Sequence, residues 1–327
     1  MKTILAIDGG GIRGIIPALI LEEIENRTSL HISKLFDVVA GSSTGGILTA
    51  TIAIPYKNLK KPKYTAGDMV KFYRSLGQEI FKRSLWYKIK SGWGLWAPKY
   101  PSKGIVNTIN RLIGDEKVCE SLTNIVITTY DLEKSEPFII SSFNPDHQQA
   151  YLRCAVRGTT SVPSYFSPHK TKINGRVLSL VDGSAFATNP ALWGYVEAVG
   201  DGEEVLMLSL GTGETSLNFS HKKCKKWGIL QWLLTLKGPE MVFDGMSDAA
   251  GQSVKKAISQ NKYGKYFRLQ MTIPNELSVL DNIDDENVEQ LVKHAENFIK
   301  ENDELINEIC RYLILAHVKR HRGKSGV

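Results

Sequence analysis

Three short stretches of the sequence hold residues whose types and spacing could do chemistry. The first is Val38-Val39-Ala40-Gly41-Ser42-Ser43-Thr44-Gly45-Gly46, an apolar run that breaks into a small-residue turn. Gly41-x-Ser43-x-Gly45 has the spacing of a nucleophile elbow, a sharp strand-to-helix turn that presents a serine hydroxyl at a sheet edge. A side chain at Gly41 or Gly45 would collide with neighbouring backbone in so tight a turn. At the head of a helix, Ser43 would also meet free N–H groups and a dipole that favour developing negative charge. The second stretch is Asp8-Gly9-Gly10-Gly11-Ile12-Arg13-Gly14. Successive glycine N–H groups can converge on one oxygen, as an oxyanion cradle requires, with Arg13 adding positive charge or pinning the loop. The same letters fit the G-x-G-x-x-G of a dinucleotide loop. That reading wants a strand ending in an acid about 20 residues on, whereas the next strand, Asp37–Ala40, runs into the elbow. The third stretch is Val177–Val181 followed by Asp182-Gly183-Ser184. An acid at a strand end can face a site at the sheet edge, or simply make an Asp-Gly turn.

Strands and helices that could position these groups alternate along the chain. Thr3–Ile7, Asn124–Tyr130, Pro137–Phe143, Glu204–Leu210 and Tyr266–Met271 read as strands. Helical patterns cover Pro17–Ile24, Asp68–Phe81, Ile105–Ile113, Tyr151–Arg157 and Asn189–Val199. From Glu286 to His317 the spacing predicts one long helix whose heptad-like seam docks onto the sheet, and the basic tail after it reads as solvated. Residues 84–101 interleave Trp86, Tyr87, Trp93, Trp96 and Tyr100 with lysines and break repeatedly at Gly and Pro, which predicts a loop. Its aromatics either tuck against the core or meet a bilayer interface. Residues 217–237 join the lysines 222, 223, 225 and 226 to a short apolar helix, a candidate lid.

Composition narrows the function classes. With 42% hydrophobic and 23% charged residues, the 327-residue chain can bury a full core. A net charge of +7 suits an anionic partner, or a solvated basic face. Four scattered cysteines with no CxxC, and no His/Cys/Asp cluster at ligand spacing, predict no metal and a reduced, cytoplasmic setting. No signal peptide and no apolar run of about 20 residues is visible, so any membrane contact is expected to be peripheral.

In order along the chain, the Asp8 glycine loop, the Ser43 elbow, the Pro163/Phe166 segment and Asp182-Gly183 together resemble the patatin-like phospholipases. The resemblance covers residues 1–200 and implies a three-layer α/β/α fold with a mainly parallel sheet, which residues 201–327 complete. It implies that Ser43 is the nucleophile, Asp182 its partner, and Gly9, Gly10, Gly11 and Arg13 the oxyanion hole. Ser184 stands where the family usually has Gly or Ala. A Ser–His–Asp triad would need one of His221, His294, His317 or His321, none of which follows a strand in a small loop. The expected activity is therefore cofactor-free acyl-ester hydrolysis by a serine–aspartate dyad at a phospholipid surface, with no nucleic-acid polymer as partner. Some bacterial members are antiviral effectors switched on by a cyclic nucleotide; the 222–226 lysines are the cluster that would hold such an activator, and homo-oligomers are compatible. A soluble carboxylesterase, a nucleotide-binding module and a storage protein are the alternatives.

Overall fold

Runs such as Lys2–Ile7, Val38–Ser42 and Val205–Leu210 bury nearly every residue, as parallel strands covered on both faces must. A computed structural model describes the chain except residues 58, 201–202, 216–219, 229–230, 233–236, 261–262 and 323–327. The strands are β1 (Lys2–Ile7), β2 (Val38–Ser42), β3 (Pro55–Tyr56), β4 (Leu59–Pro62), β5 (Asn124–Asp131), β6 (Glu136–Ser141), β7 (His169–Ile173), β8 (Arg176–Asp182), β9 (Val205–Leu210) and β10 (Lys265–Leu269). β3 and β4 form a small hairpin, and the rest one eight-stranded sheet in the order β10-β9-β1-β2-β5-β8-β7, with β6 on β5. The five strands from β10 to β5 are parallel. β6 and β8 run against β5, and β7 against β8.

Alternate residues of a strand face opposite sides, and the helices sort accordingly. Leu5, Ile7 and Val39 pack with α1 (Ile15–Thr28), α3 (Ala66–Ile80) and the two C-terminal helices. Ile4, Ala6 and Val38 pack on the opposite side with α6 (Ala191–Ala198) and α7 (Lys237–Ser259). α2 (Thr44–Ala53), α4 (Ser102–Ile113) and α5 (Leu152–Thr159) surround the β5–β8 end. The result is the mainly parallel α/β/α arrangement that the motifs imply.

The long C-terminal helix is two helices, α8 (Asp285–Glu301) and α9 (Asp303–Arg322). Asn302 divides them: its Nδ2 donates to the Phe298 carbonyl at 2.8 Å, while its own carbonyl accepts Ile306 N–H at 2.9 Å. It thus closes one helix and opens the next, where Asp303 and Glu304 suit the new N-terminus. The seam residues Val288, Leu291, Ala295 and Ile309 are buried in the core, so docking is their role. Nor is the basic tail wholly solvated: Arg320 pairs with Asp37 and donates to the carbonyls of Lys34 and Leu35. Of the 217–237 segment, the structure describes residues 220–228, with a short helix at His221–Cys224, and residues 231, 232 and 237; the rest lies outside the described residues.

An ion pair joins the C-terminal part to the glycine loop. Arg268 on β10 grips the buried Asp8 carboxylate with both terminal nitrogens, at 3.0 and 2.6 Å, and bonds Ser209 at 2.8 Å. Removing the guanidinium strands a buried charge. Arg268→Met is expected to lower the unfolding free energy by about 3 kcal/mol, and adding Asp8→Asn to restore part of it. Urea denaturation of the single and double variants measures both, and equal stability of Arg268→Met and the parent would remove the pair from the fold's support.

Candidate active site

Sheet register brings two distant residues together. Ser42 pairs with Thr128, and Asp182 pairs with Thr129, the next residue of β5. β6 occupies the other edge of β5 over this stretch. β2 runs with β5 and β8 runs against it, so their C-terminal ends meet nose to nose along one edge. Ser43 lies just beyond the first end and Asp182 is the last residue of the second. The turn after Asp182 can lie this close only because position 183 is glycine; a Cβ there would strike the Thr128 carbonyl oxygen.

Ser43 sits at φ 52° and ψ −121°, a strained conformation for a residue with a side chain. Such strain costs about 1–3 kcal/mol and persists only where the surroundings enforce it. Here Ser43 N–H donates to Thr159 Oγ1 at 2.8 Å, and Gly46 N–H to the Ser43 carbonyl at 2.9 Å. A Cβ on Gly45 would run into the carbonyl oxygens of Ile7 and Asp8, and one on Gly41 into those of Gly45 and the Thr49 hydroxyl. Both glycines serve close approach, as the spacing requires.

Asp182 is 2% exposed. Its Oδ1 accepts Ser184 N–H at 2.7 Å, while Oδ2 is buried without a well-aligned hydrogen bond. Burial pushes this carboxyl up to about 6, against the pull of the Ser43 hydroxyl and then of Ser184. Among the described residues, no well-formed hydrogen bond joins the Ser43 hydroxyl to this carboxylate.

The glycine loop divides its N–H groups. Gly9 donates to the Thr188 carbonyl at 2.9 Å, Arg13 to Gly10 at 3.1 Å and Ile12 to Leu280 at 2.9 Å. Among the described residues, the N–H groups of Gly10 and Gly11 have no partner. Gly11 adopts φ 58°, and a Cβ on it would meet the Leu280 carbonyl, so glycine is required twice over. At the head of α2, Thr44 has an N–H with no intrahelical partner.

Gly9, Gly10, Gly11, Arg13, Ser43 and Asp182 all line one cavity of about 750 Å³. It extends between apolar side chains of α2, α3 and α4, among them Leu48, Phe72, Ile80 and Ile109. Its size falls within the roughly 300–1,000 Å³ typical of small-molecule pockets. Among the described residues no histidine lines it. His317 and His321 touch on α9, their ring centres 4.4 Å apart and their planes tilted by 58°, and His294 lies on α8. Sequence reading missed Thr159 and Leu280, which lie far along the chain in segments without a recognisable motif, whereas the Thr44 N–H is one of the free N–H groups expected at the head of the helix.

Residues 5–192 match the family described as patatin-like phospholipase. The chain belongs to that family. It is 32% identical to "Probable inactive patatin-3-Kuras 1" of Solanum tuberosum, over 92% of this chain and 87% of that protein. It is 34% identical to patatin-like protein 4 of Arabidopsis thaliana, over 72% and 66%, and 32% identical to patatin-07 of Solanum tuberosum, over 92% and 84%. Membership in this patatin-like family supports lipid acyl hydrolase activity in general. Because one relative bears an inactive name, the residues present here decide whether the site can work.

The Ser43 strain predicts an unusual stability order. Ser43→Gly is expected to be more stable than Ser43→Ala by about 1–2 kcal/mol, the reverse of their order in an ordinary helix. Chemical denaturation of the two variants checks it; a less stable glycine variant would mean the elbow is relaxed.

Proposed function

We propose that this patatin-like chain hydrolyses the acyl esters of membrane phospholipids or lysophospholipids through a Ser43–Asp182 dyad. The observation that carries the reading is the meeting of a strained serine with a buried carboxylate whose Oδ2 lacks a well-aligned partner, in an apolar cavity. In the proposed cycle Ser43 Oγ attacks the ester carbonyl as its proton passes to Asp182. The Gly10 and Gly11 N–H groups, with Thr44 N–H alongside, hold the oxyanion. Collapse of the tetrahedral adduct expels the alcohol, which takes the proton from Asp182, and leaves the acyl group on Ser43. Water then gives a proton to Asp182 and attacks the acyl carbonyl; Ser43 recovers the proton and the fatty acid departs.

An ordinary aspartate, with a pKa near 3.9, is a weak base. Lifting it to about 6 brings it closer to the operating pH while keeping it ionised at neutrality. The apolar depth of the cavity favours a long acyl chain over the small esters of a soluble carboxylesterase.

Two measurements test this. Ser43→Ala and Asp182→Asn should each slow ester hydrolysis by roughly four orders of magnitude, whereas alanine at His221 or His294 should leave it unchanged. A dead histidine variant would replace the dyad by a triad. In the active protein kcat/KM should rise with pH along a single acid limb near 6, because Asp182 must be ionised to accept the proton. A limb near 4 in the parent would place the base elsewhere.

A further inference from the structure

Between Glu79 and Asp115 the chain carries seven basic residues and no acidic one. Five of them, Lys82, Arg83, Lys88, Lys90 and Lys99, fall within residues 82–99. A six-residue helix, Leu85–Lys90, and a turn at Gly92–Gly94 shape this segment. Together they leave Leu85, Trp86, Ile89, Trp93, Leu95 and Trp96 on the surface, each between 63% and 86% exposed. The tucked-in reading of these tryptophans therefore fails; of the aromatics weighed, Tyr100 is the one that is buried. Lys90 Nζ stands 5.1 Å from the Trp86 ring centre and Lys88 Nζ 5.9 Å from that of Trp93, so cations and rings share one face. A surface of this kind marks an interaction site, because six exposed large apolar side chains in one segment are costly to leave in water.

The segment is fastened at both ends to the cavity. Phe81 lines the cavity at one end. At the other, Lys99 and Tyr100 N–H donate to the carbonyls of Ser164 and Tyr165, both cavity residues, at 2.8 and 2.9 Å. Lys99 Nζ and Tyr100 OH also converge on the buried Asp281 carboxylate, next to the Leu280 that holds the glycine loop.

We infer that residues 82–99 dock the protein on the surface of an anionic phospholipid bilayer and set the acyl cavity against it. The inference rests on the acyl-ester reading of that cavity. Indole rings settle at the headgroup level, leucine and isoleucine enter the acyl boundary, and lysines gain from negative headgroups. The charge excludes the simplest protein partner: a two-fold contact with a second copy would set the same basic patch against itself.

The test uses the full chain bearing Ser43→Ala, so that lipid is not consumed. This protein should co-sediment with vesicles of phosphatidylcholine mixed with phosphatidylglycerol, bind phosphatidylcholine alone more weakly, and be released by salt. Adding Trp86→Ser, Trp93→Ser and Trp96→Ser should weaken vesicle binding about tenfold or more. With Ser43 restored, the triple tryptophan variant should keep turnover of a soluble short-chain ester while losing about tenfold on vesicle lipid. Undiminished vesicle binding by the triple variant, or no binding by the parent, overturns the docking role. So does a parent dimer that the substitutions dissolve, since a second copy would then cover the patch. Vesicle binding without turnover of any ester would instead overturn the hydrolase reading.

Discussion

The structure depends on a single meeting of strand ends. β5 accepts β2 in parallel and β8 antiparallel along the same edge, and the two partners abut between Thr128 and Thr129. No loop has to reach across the sheet to join Ser43 to Asp182. Their separation is set by adjacent rungs of one hydrogen-bonded ladder, the stiffest element a fold offers. Much of the surrounding sequence keeps that junction tight: glycine at 41, 45 and 183 where backbone abuts backbone, and Thr159 on the Ser43 amide.

Such a junction works against stability. A carboxyl with a folded pKa raised from 3.8 to about 6 favours the fold in its protonated form. That contribution is fully present below pH 3.8 and is lost as pH rises through 6, leaving the ionised group a liability of about 3 kcal/mol at neutrality. Strain at Ser43 adds about 1–3 kcal/mol. These penalties fall on one small region, whereas the buried faces of β1, β2 and β9 and their helices supply the compensating burial. Concentrating penalty at a site and support in the scaffold is how a reactive arrangement survives in a marginally stable molecule.

Much of this was legible in the sequence, for definable reasons. Gly41, Gly45 and Ser43 stand out because a tight turn admits few residue types, whereas Asp182-Gly183 by itself fits an ordinary turn as well, and the resemblance to the family singles it out. Most of the strands and helices followed from period, but β3, β4, β7 and the 23-residue α7 were not read from it. What stayed hidden depends on pairings across the chain. Nothing local distinguishes Gly9, whose N–H is taken by Thr188, from Gly10 and Gly11, whose N–H groups are open to the cavity. The break at Asn302 was masked because the apolar seam continues in phase through it, and the cap outweighs the period there. Whether Trp86, Trp93 and Trp96 face core or water likewise depends on contacts across the chain, where Phe81, Tyr100 and Phe166 are the rings that pack on one another.

The account turns on the Ser43 hydroxyl being made nucleophilic by Asp182, and covalent labelling with a fluorophosphonate reports this without any lipid. Mapping the adduct by mass spectrometry and timing its formation should give one modified residue, Ser43, formed rapidly in the parent and slower by orders of magnitude in Asp182→Asn. An adduct elsewhere, or equal labelling rates in the two proteins, would contradict it.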